Sequence, residues 1–241
     1  LFRSQSGAGP AEIVHTVLES SGLLKELADS KDPQGTQKTI SSLKDSVDVR
    51  IILVCKREDY QIYRGVDTYV VIKEPFNYNR FINHAMEHVK RDWVLISNDD
   101  VVYDTPWFHE IQEVMYERPD ISSFSPMDPM LHKMYYSDLY FLDKRYVEGY
   151  NITEHVSGWA ILVKKEALDK MGKFDEQFDM YYQDNDYAEV LKQNGFKHAL
   201  VKPAFAYHKG TELIREPYSE EKKTKLAEDE HKFRTKWNIW T

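Results

Sequence analysis

The chain has 241 residues, 41% of them hydrophobic, which is enough for one large α/β domain or two small ones. The formal net charge of −8 weighs against nucleic acid as the main partner, because such a protein needs a basic face. The single cysteine, Cys55, excludes an intrachain disulfide and favours a reducing compartment, so we expect a cytoplasmic location. The sequence contains no apolar run of about 20 residues, and we therefore expect no membrane span.

The first half of the chain alternates helical and strand patterns. A short strand is predicted at residues 1–2, and apolar residues at roughly helical spacing predict a helix over residues 11–27. Residues 30–37 (SKDPQGTQ) form a turn-rich break. A second helix is predicted over residues 79–90. Short runs rich in β-branched or apolar residues predict buried strands at residues 49–55 (VRIILVC), 68–72 (TYVVI) and 93–97 (WVLIS).

The second half continues this alternation. Thr105-Pro106 predicts a helix start, with a hydroxyl N-cap followed by proline at the first helical position. Residues 127–150 are rich in Tyr and Met without clear periodicity, which predicts loops and short elements over a cleft. The remaining predicted elements are strands at 121–125, 159–163, 198–201 and 204–207, and helices at 165–171, 185–194 and 219–236. Alternating strands and helices favour a single α/β domain with a mostly parallel central sheet flanked by helices.

Three polar clusters lie where strands end or helices begin, and ligands bind at such positions in parallel α/β sheets. The residues 98–100 (NDD) could hold a hard divalent cation that bridges phosphate oxygens, or could form a solvated turn. The residues 183–186 (QDND) could supply a general base, or merely the acidic residues that favour a helix start. His208 follows a short apolar strand and could contact a metal ion or a phosphate, or be incidental.

The order of the motifs along the chain is more specific than any single cluster. The motifs are PFNYNRFIN at 75–83, NDD at 98–100, SGWA at 157–160, GKFDEQF at 172–178, YYQDND at 181–186, YH at 207–208 and FRTKW at 233–237. This order resembles that of the family 2-like glycosyltransferases of the GT-A fold. The resemblance covers about residues 70–237, and its most specific part is the GxFDE loop followed by the EDxD-type helix start.

The resemblance implies a Rossmann-like GT-A domain that transfers a sugar, with inversion, from a nucleoside-diphosphate sugar to an acceptor hydroxyl. It implies Mn²⁺ or Mg²⁺ as the cofactor and Asp184 as the catalytic base. The residues that it assigns to the metal are Asp100, His208 and Asn98. Those that it assigns to the donor sugar and its nucleotide are Arg80, Asn83, Asp99 and Gly158. Those that it assigns to the acceptor are Trp159, Asp186 and Tyr182.

We expect residues 1–241 to form one domain, with a nucleotide-side part at 1–70, a core at 71–210 and a helical tail at 211–241. The sequence departs from the family pattern in three places. Asn98 replaces the first Asp of the metal motif, and Gln183 replaces Glu at the helix start. The strand at 49–55 also runs into Lys56 and Arg57 without the expected nucleotide-binding Asp. If residues 1–2 end the first strand, residues 3–6 form its nucleotide-binding turn.

Two other function classes fit the sequence less well. The Gln183 substitution and the poorly matched N-terminal part permit a catalytically inactive module of the same fold that binds a sugar or nucleotide. A nucleotidyltransferase or phosphotransferase is disfavoured because there is no GxxxxGK[ST] motif and only ten glycines.

A glycan is the default acceptor. A modified base in nucleic acid is left open but not favoured, since basic residues are few near the aromatic segment 130–150. The rings of that segment could stack on a sugar or fill a core.

Overall fold

The structure is a computed structural model that describes residues 33–56, 63–178, 181–209 and 219–239, and the backbone of residues 12–16. The strands in these ranges are β1 (Glu12–Thr16), β2 (Arg50–Lys56), β3 (Thr68–Ile72), β4 (Trp93–Asn98), β5 (Val101–Tyr103), β6 (Ile121–Met127), β7 (Tyr146–Glu148), β8 (Ala160–Lys164) and β9 (Lys197–His208). The helices are α1 (Pro33–Ser46), α2 (Tyr78–Met86), α3 (Trp107–Glu117), α4 (Pro129–Tyr135), α5 (Ser137–Phe141), α6 (Lys165–Met171), α7 (Gln183–Gln193) and α8 (Glu220–Trp237). Within the described ranges, no helix has both the length and the apolar character needed to cross a bilayer.

The sheet is mixed rather than mostly parallel. Its strand order is β3-β2-β1-β4-β8-β6-β9-β5, with β7 also paired to β9. The first four strands in that order are parallel, whereas β8 runs antiparallel to both β4 and β6. β9 is parallel to β6 but antiparallel to β5 and β7. A short apolar run predicts a buried strand but not its direction, so the sequence could not show this reversal.

The start of the chain differs from its prediction. Residues 12–16 form β1, which pairs with β2 and β4 near the centre of the sheet, instead of the first part of a helix over residues 11–27. Its backbone N–H and C=O groups bond to the strands on both sides, and these hydrogen bonds outweigh the roughly helical spacing of apolar residues over residues 11–27. Helix α1 begins at Pro33, inside the segment predicted as a break, where proline fits the first turn. The predictions for residues 1–2, 3–6 and 17–27 lie outside the described residues.

Most later elements confirm the sequence pattern. The bounds of β3 and α6 are those predicted, and the strands predicted at 198–201 and 204–207 are parts of the single strand β9. Thr105 does not cap α3, because the N-cap residue is Pro106 and no side chain bonds there. The Tyr- and Met-rich segment forms two short helices, α4 and α5, and the three-residue strand β7.

Helices cover both faces of the central strands. Along β4, Trp93 and Leu95 pack into a core shared with α1 and α3, while Val94 and Ile96 pack into a core shared with α2, α6 and α7. All of β4 is therefore buried, which explains why WVLIS lacks the alternation of a half-exposed strand. The result is a layered α/β architecture in which the end of β4 lies between helices.

Candidate functional site

The polar segment after β4 lies where the parallel strands end. Thr16 at the end of β1 is opposite Asn98 in the parallel ladder. The backbone N–H of Asn98 donates to the Trp159 carbonyl at 3.0 Å, which ties this edge to the chain that enters β8. Just beyond, Val101 in β5 pairs with His208 at the end of β9. This pairing places an imidazole beside the segment 98–100, although the two are more than 100 residues apart in the chain.

The three predicted metal ligands lie together. His208 Nε2 is 3.3 Å from Asp100 Oδ1 and 3.4 Å from Asn98 Nδ2. The imidazole stacks on Trp159, with ring centroids 5.4 Å apart and planes 11° from parallel. The backbone N–H of His208 also donates to Asp128 Oδ2 at 3.3 Å. Strand pairing, stacking and this hydrogen bond together fix the imidazole next to Asp100.

The Asp100–His208–Asn98 cluster fits a hard cation in part. Ligand atoms of one such ion lie about 3 Å apart when the metal–oxygen bonds are about 2.1 Å, close to the 3.3 Å between His208 Nε2 and Asp100 Oδ1. Asn98 Oδ1 is buried and has no hydrogen-bond partner among the described residues. Those residues contain no group of three or more His, Cys, Asp or Glu that could hold a metal ion alone. The cluster therefore suits a cation that takes its other ligands from phosphate oxygens and water.

Asp184 occupies a niche that exists because residue 158 is glycine. A Cβ atom at Gly158 would lie 2.6 Å from Asp184 Oδ2 and 2.9 Å from its Cβ. The other carboxylate oxygen, Oδ1, accepts from the Asn185 backbone N–H at 2.9 Å. Burial raises the pKa of Asp184 above its ordinary value, and the backbone hydrogen bond only partly opposes this rise. Asp184 is therefore a better proton acceptor than an exposed aspartate, as a general base requires.

Tyr78 completes this niche, and the sequence did not single it out. Its hydroxyl donates to the Gly158 carbonyl at 3.2 Å. Burial, and to a lesser extent the Asp184 charge, raise its pKa, so the phenol stays protonated at neutral pH. In sequence Tyr78 is one aromatic residue among several at a helix start, and no spacing sets it apart. By contrast, Asp128 followed by Pro129 is the signature of an N-cap and first helical residue, and it could have been recognised.

Residues 158–159 connect the two halves of the site. Gly158 contacts Asp184, and the next residue, Trp159, stacks on His208. The Asp184 carboxylate and the Asp100–His208–Asn98 cluster therefore contact neighbouring residues of the same segment. Three of the predicted site residues, Asp184, His208 and Asn98, contact this segment, and Asp100 reaches it through His208.

Arg80 and Asn83, which were assigned to the nucleotide side, hold the GKFDEQF loop. Asn83 Nδ2 donates to the Phe174 carbonyl, and Asn83 Oδ1 accepts from the Phe174 N–H, both at 2.9 Å. Arg80 Nε donates to Glu176 Oε2 at 2.9 Å. The loop is also held by Asn79, whose Nδ2 donates to the Asp175 carbonyl at 2.7 Å. The polar residues of the PFNYNRFIN motif thus serve this loop.

Asp99, Asp186 and Tyr182 also make internal contacts. Asp99 Oδ2 accepts from Thr36 Oγ1 at 2.7 Å, which ties the segment 98–100 to α1. Asp186 is 4% exposed and is held by the C-terminal helix α8, while the Tyr182 ring packs on Phe233 with centroids 5.3 Å apart.

A cavity of about 250 Å³ beside Asp186 is lined by residues of α6, α7, α8 and the loop 172–175. It includes neither Asp184 nor the Asp100–His208–Asn98 cluster.

Comparison with known proteins shows a shared fold. No family model and no curated protein matches the chain. Among solved structures, a mannosyltransferase from Pyrobaculum calidifontis, in complex with GDP-Man and Mn²⁺, matches with a TM-score of 0.58 and 14% sequence identity. The match covers 87% of this chain and 59% of the mannosyltransferase chain, so this chain spans less than two thirds of that protein. At this identity the likeness shows that the two chains share a mixed α/β fold.

Substitution of Gly158→Ala should strain the niche of Asp184. The backbone at Gly158 is outside the left-handed region, so the added methyl acts through its contact with Asp184. We expect the free energy of unfolding to fall by about 1–3 kcal/mol, as measured by urea denaturation. In an Asp184→Gly background the same substitution should cost less than half as much. Equal costs in the two backgrounds would show that the strain arises elsewhere.

Substitution of Asp184→Asn should stabilise the protein at neutral pH. Because burial makes the pKa of Asp184 higher in the folded chain, the folded state binds this proton more tightly than the unfolded state does. The contribution of Asp184 to the free energy of unfolding is therefore largest below its pKa in the unfolded chain, about 4. This contribution is lost as pH rises through its pKa in the folded chain. Denaturation at pH 7 should show a more stable variant, with the gain shrinking towards pH 4. The exposed control Asp143→Asn should change stability by less than about 0.5 kcal/mol at either pH.

Proposed function

We propose that this protein is a metal-dependent, inverting glycosyltransferase that uses a nucleoside-diphosphate sugar. One observation carries the proposal: Asp184, a carboxylate with a raised pKa, lies against Gly158, and the Asp100–His208–Asn98 cluster lies against the next residue, Trp159. Sugar transfer needs a base at the acceptor and a charge-stabilising group at the leaving diphosphate, within the length of one sugar. The fold shared with a mannosyltransferase that binds GDP-Man and Mn²⁺ supports this interpretation.

The Asp100–His208–Asn98 cluster would bind Mn²⁺ or Mg²⁺ together with the diphosphate of the donor. A bound divalent cation neutralises the negative charge that develops on the departing nucleoside diphosphate. Asp100 contributes the negative charge of the cluster, and His208 contributes a nitrogen whose position is fixed by Trp159 and by the bond to Asp128. Asn98 contributes a neutral amide oxygen where the family pattern has a second carboxylate, which leaves Asp100 with most of the charge.

Asp184 would act as the general base. Its carboxylate takes the proton of the acceptor hydroxyl as the hydroxyl oxygen bonds to the anomeric carbon. The bond between that carbon and the diphosphate oxygen breaks on the opposite face, and this single displacement inverts the configuration. Tyr78, kept protonated by burial, holds the Gly158 carbonyl and so supports the niche that raises the pKa of Asp184.

The exposed rings of α4 and α5 favour a glycan as the acceptor. Tyr135 is 49% exposed and Phe141 is 70% exposed, and ring faces of this kind stack on sugars. Tyr136, Tyr140 and Tyr146 instead pack against hydrophobic cores, so the aromatic segment is divided between packing and surface. Helix α4 is near the site because its N-cap, Asp128, accepts from the backbone of His208.

Turnover of nucleotide sugars tests the proposal directly. The protein is incubated with GDP-, UDP- and dTDP-sugars and with Mn²⁺, Mg²⁺ or EDTA, and released nucleoside diphosphate is measured. We expect release from one donor that depends on a divalent cation. It should fall about 100-fold or more in Asp100→Ala and in Asp184→Asn, because each change removes a group that acts on the transition state. The control Asp143→Asn should retain wild-type turnover.

The alternatives give different results in the same assay. Binding of a nucleotide sugar without turnover, even when glycan acceptors are added, would identify an inactive binding module. Cleavage between the two phosphates, rather than at the anomeric carbon, would identify a nucleotidyltransferase. Equal turnover in wild type and Asp184→Asn would remove Asp184 from the mechanism.

The pH dependence of kcat/KM should report the raised pKa of Asp184. The base must be ionised, so the rate falls as pH drops through this pKa, and the acidic limb should lie above the pH of about 4 expected of an ordinary aspartate. Rates measured from pH 4 to pH 9 at saturating cation define the limb. An acidic limb at pH 4 or below would contradict the assignment of Asp184.

A further inference from the structure

The C-terminal helix α8 contacts the chain immediately before Asp184. The buried carboxylate of Asp229 accepts from the backbone N–H of Tyr181 at 3.2 Å. One turn later in α8, Phe233 packs on the ring of Tyr182. Both residues that precede Gln183 and Asp184 are thus held by side chains of α8.

The last turn of α8 holds the chain on the other side of Asp184. Lys236 Nζ lies 2.8 Å from Asp186 Oδ1 and 2.8 Å from Asp175 Oδ2, and Trp237 Nε1 donates to Asp186 Oδ1 at 2.9 Å. Asp186 is 4% exposed, so the Lys236 ammonium and the Trp237 indole satisfy a carboxylate that has little access to water. Helix α8 therefore connects the start of α7 to the GKFDEQF loop.

The backbone at the start of α7 requires such support. Tyr182 has φ of +61°, a left-handed conformation that costs free energy in a residue other than glycine. No side chain caps the helix at this residue. A conformation of this kind persists where surrounding contacts fix it, and the contacts on either side of Tyr182 and Asp184 come from α8. A small rotation at Tyr182 would turn Asp184 away from Gly158.

We propose that α8 is the positioning element for Asp184, and that Lys236 and Trp237 are positioning residues which keep its carboxylate in the Gly158 niche. The inference rests on the proposed function only for its effect on catalysis. The placement of Asp184 against Gly158 is a property of the folded protein alone. Lys236 contacts Asp186 and Asp175 rather than Asp184, so it acts through the backbone of α7.

The primary test measures the pKa of Asp184 by carbon-13 NMR of its carboxyl group, assigned with Asp184→Asn. Wild type is compared with Lys236→Met, Lys236→Arg and Trp237→Phe. Release of Asp184 into water should lower its pKa towards about 4 in Lys236→Met and Trp237→Phe, with recovery in Lys236→Arg. Mere loss of a nearby positive charge would shift the pKa upwards, so the direction separates positioning from electrostatics.

The matched control is Lys223→Met, which makes the same change in α8 at an exposed lysine paired with Glu220. It should leave the pKa of Asp184 at its wild-type value. If Lys236→Met does not fold cooperatively, Trp237→Phe decides the test, because it retains both ion pairs of Lys236 and loses one hydrogen bond. An unchanged pKa of Asp184 in folded Lys236→Met, or in Trp237→Phe where Lys236→Met does not fold, would overturn the proposal.

Kinetics provide the second readout. In Lys236→Met and Trp237→Phe we expect kcat to fall about 10- to 100-fold while KM for the donor stays within about twofold, because the base is misplaced and the donor site is intact. A rise in donor KM with kcat unchanged would overturn the positioning role. If wild type turns over no nucleotide sugar, the proposed function fails, whereas the NMR measurement still decides the role of α8.

Discussion

The close contact between Gly158 and Asp184 is the constraint on which the site depends. A side chain at residue 158 would occupy the space that the Asp184 carboxylate fills, so glycine allows α7 and the entry to β8 to approach closely. The same approach limits the access of water to the carboxylate and raises its pKa. The close packing of Asp184 on Gly158 and the raised pKa of Asp184 therefore have the same cause. The Tyr78 hydroxyl holds the Gly158 carbonyl and limits movement of the segment away from α7.

The sheet supplies the second half of the site by pairing distant segments. β5 is only three residues long, yet its antiparallel pairing with β9 brings His208 beside Asp100. The stacking of His208 on Trp159 joins this cluster to the residue after Gly158. A carboxylate of raised pKa and the Asp100–His208–Asn98 cluster therefore contact neighbouring residues of one segment.

Sequence patterns indicated which segments of the chain meet, but not how the strands between them run. The structure brings Asp184, Asp100 and His208 to one region, because residues at strand ends and helix starts meet at one edge of an α/β sheet. The direction of β8 could not be predicted, since a run of apolar residues does not indicate which way a strand runs. The strand at residues 12–16 could not be predicted either, because its hydrogen bonds to the neighbouring strands outweigh the helical spacing of its apolar residues. Tyr78 was missed because its role comes from one hydrogen bond to a distant carbonyl.

Many polar residues of the motifs hold neighbouring loops and helices in place. Asn83, Asn79 and Arg80 hold the GKFDEQF loop, and that loop in turn reaches Lys236 through Asp175. Lys236 also binds Asp186, so these contacts connect α2, by way of the loop and α8, to the start of α7. Buried polar groups of this kind are costly unless satisfied, which makes such a network a rigid support. The network therefore connects the motif residues to the start of α7, the helix that carries Asp184.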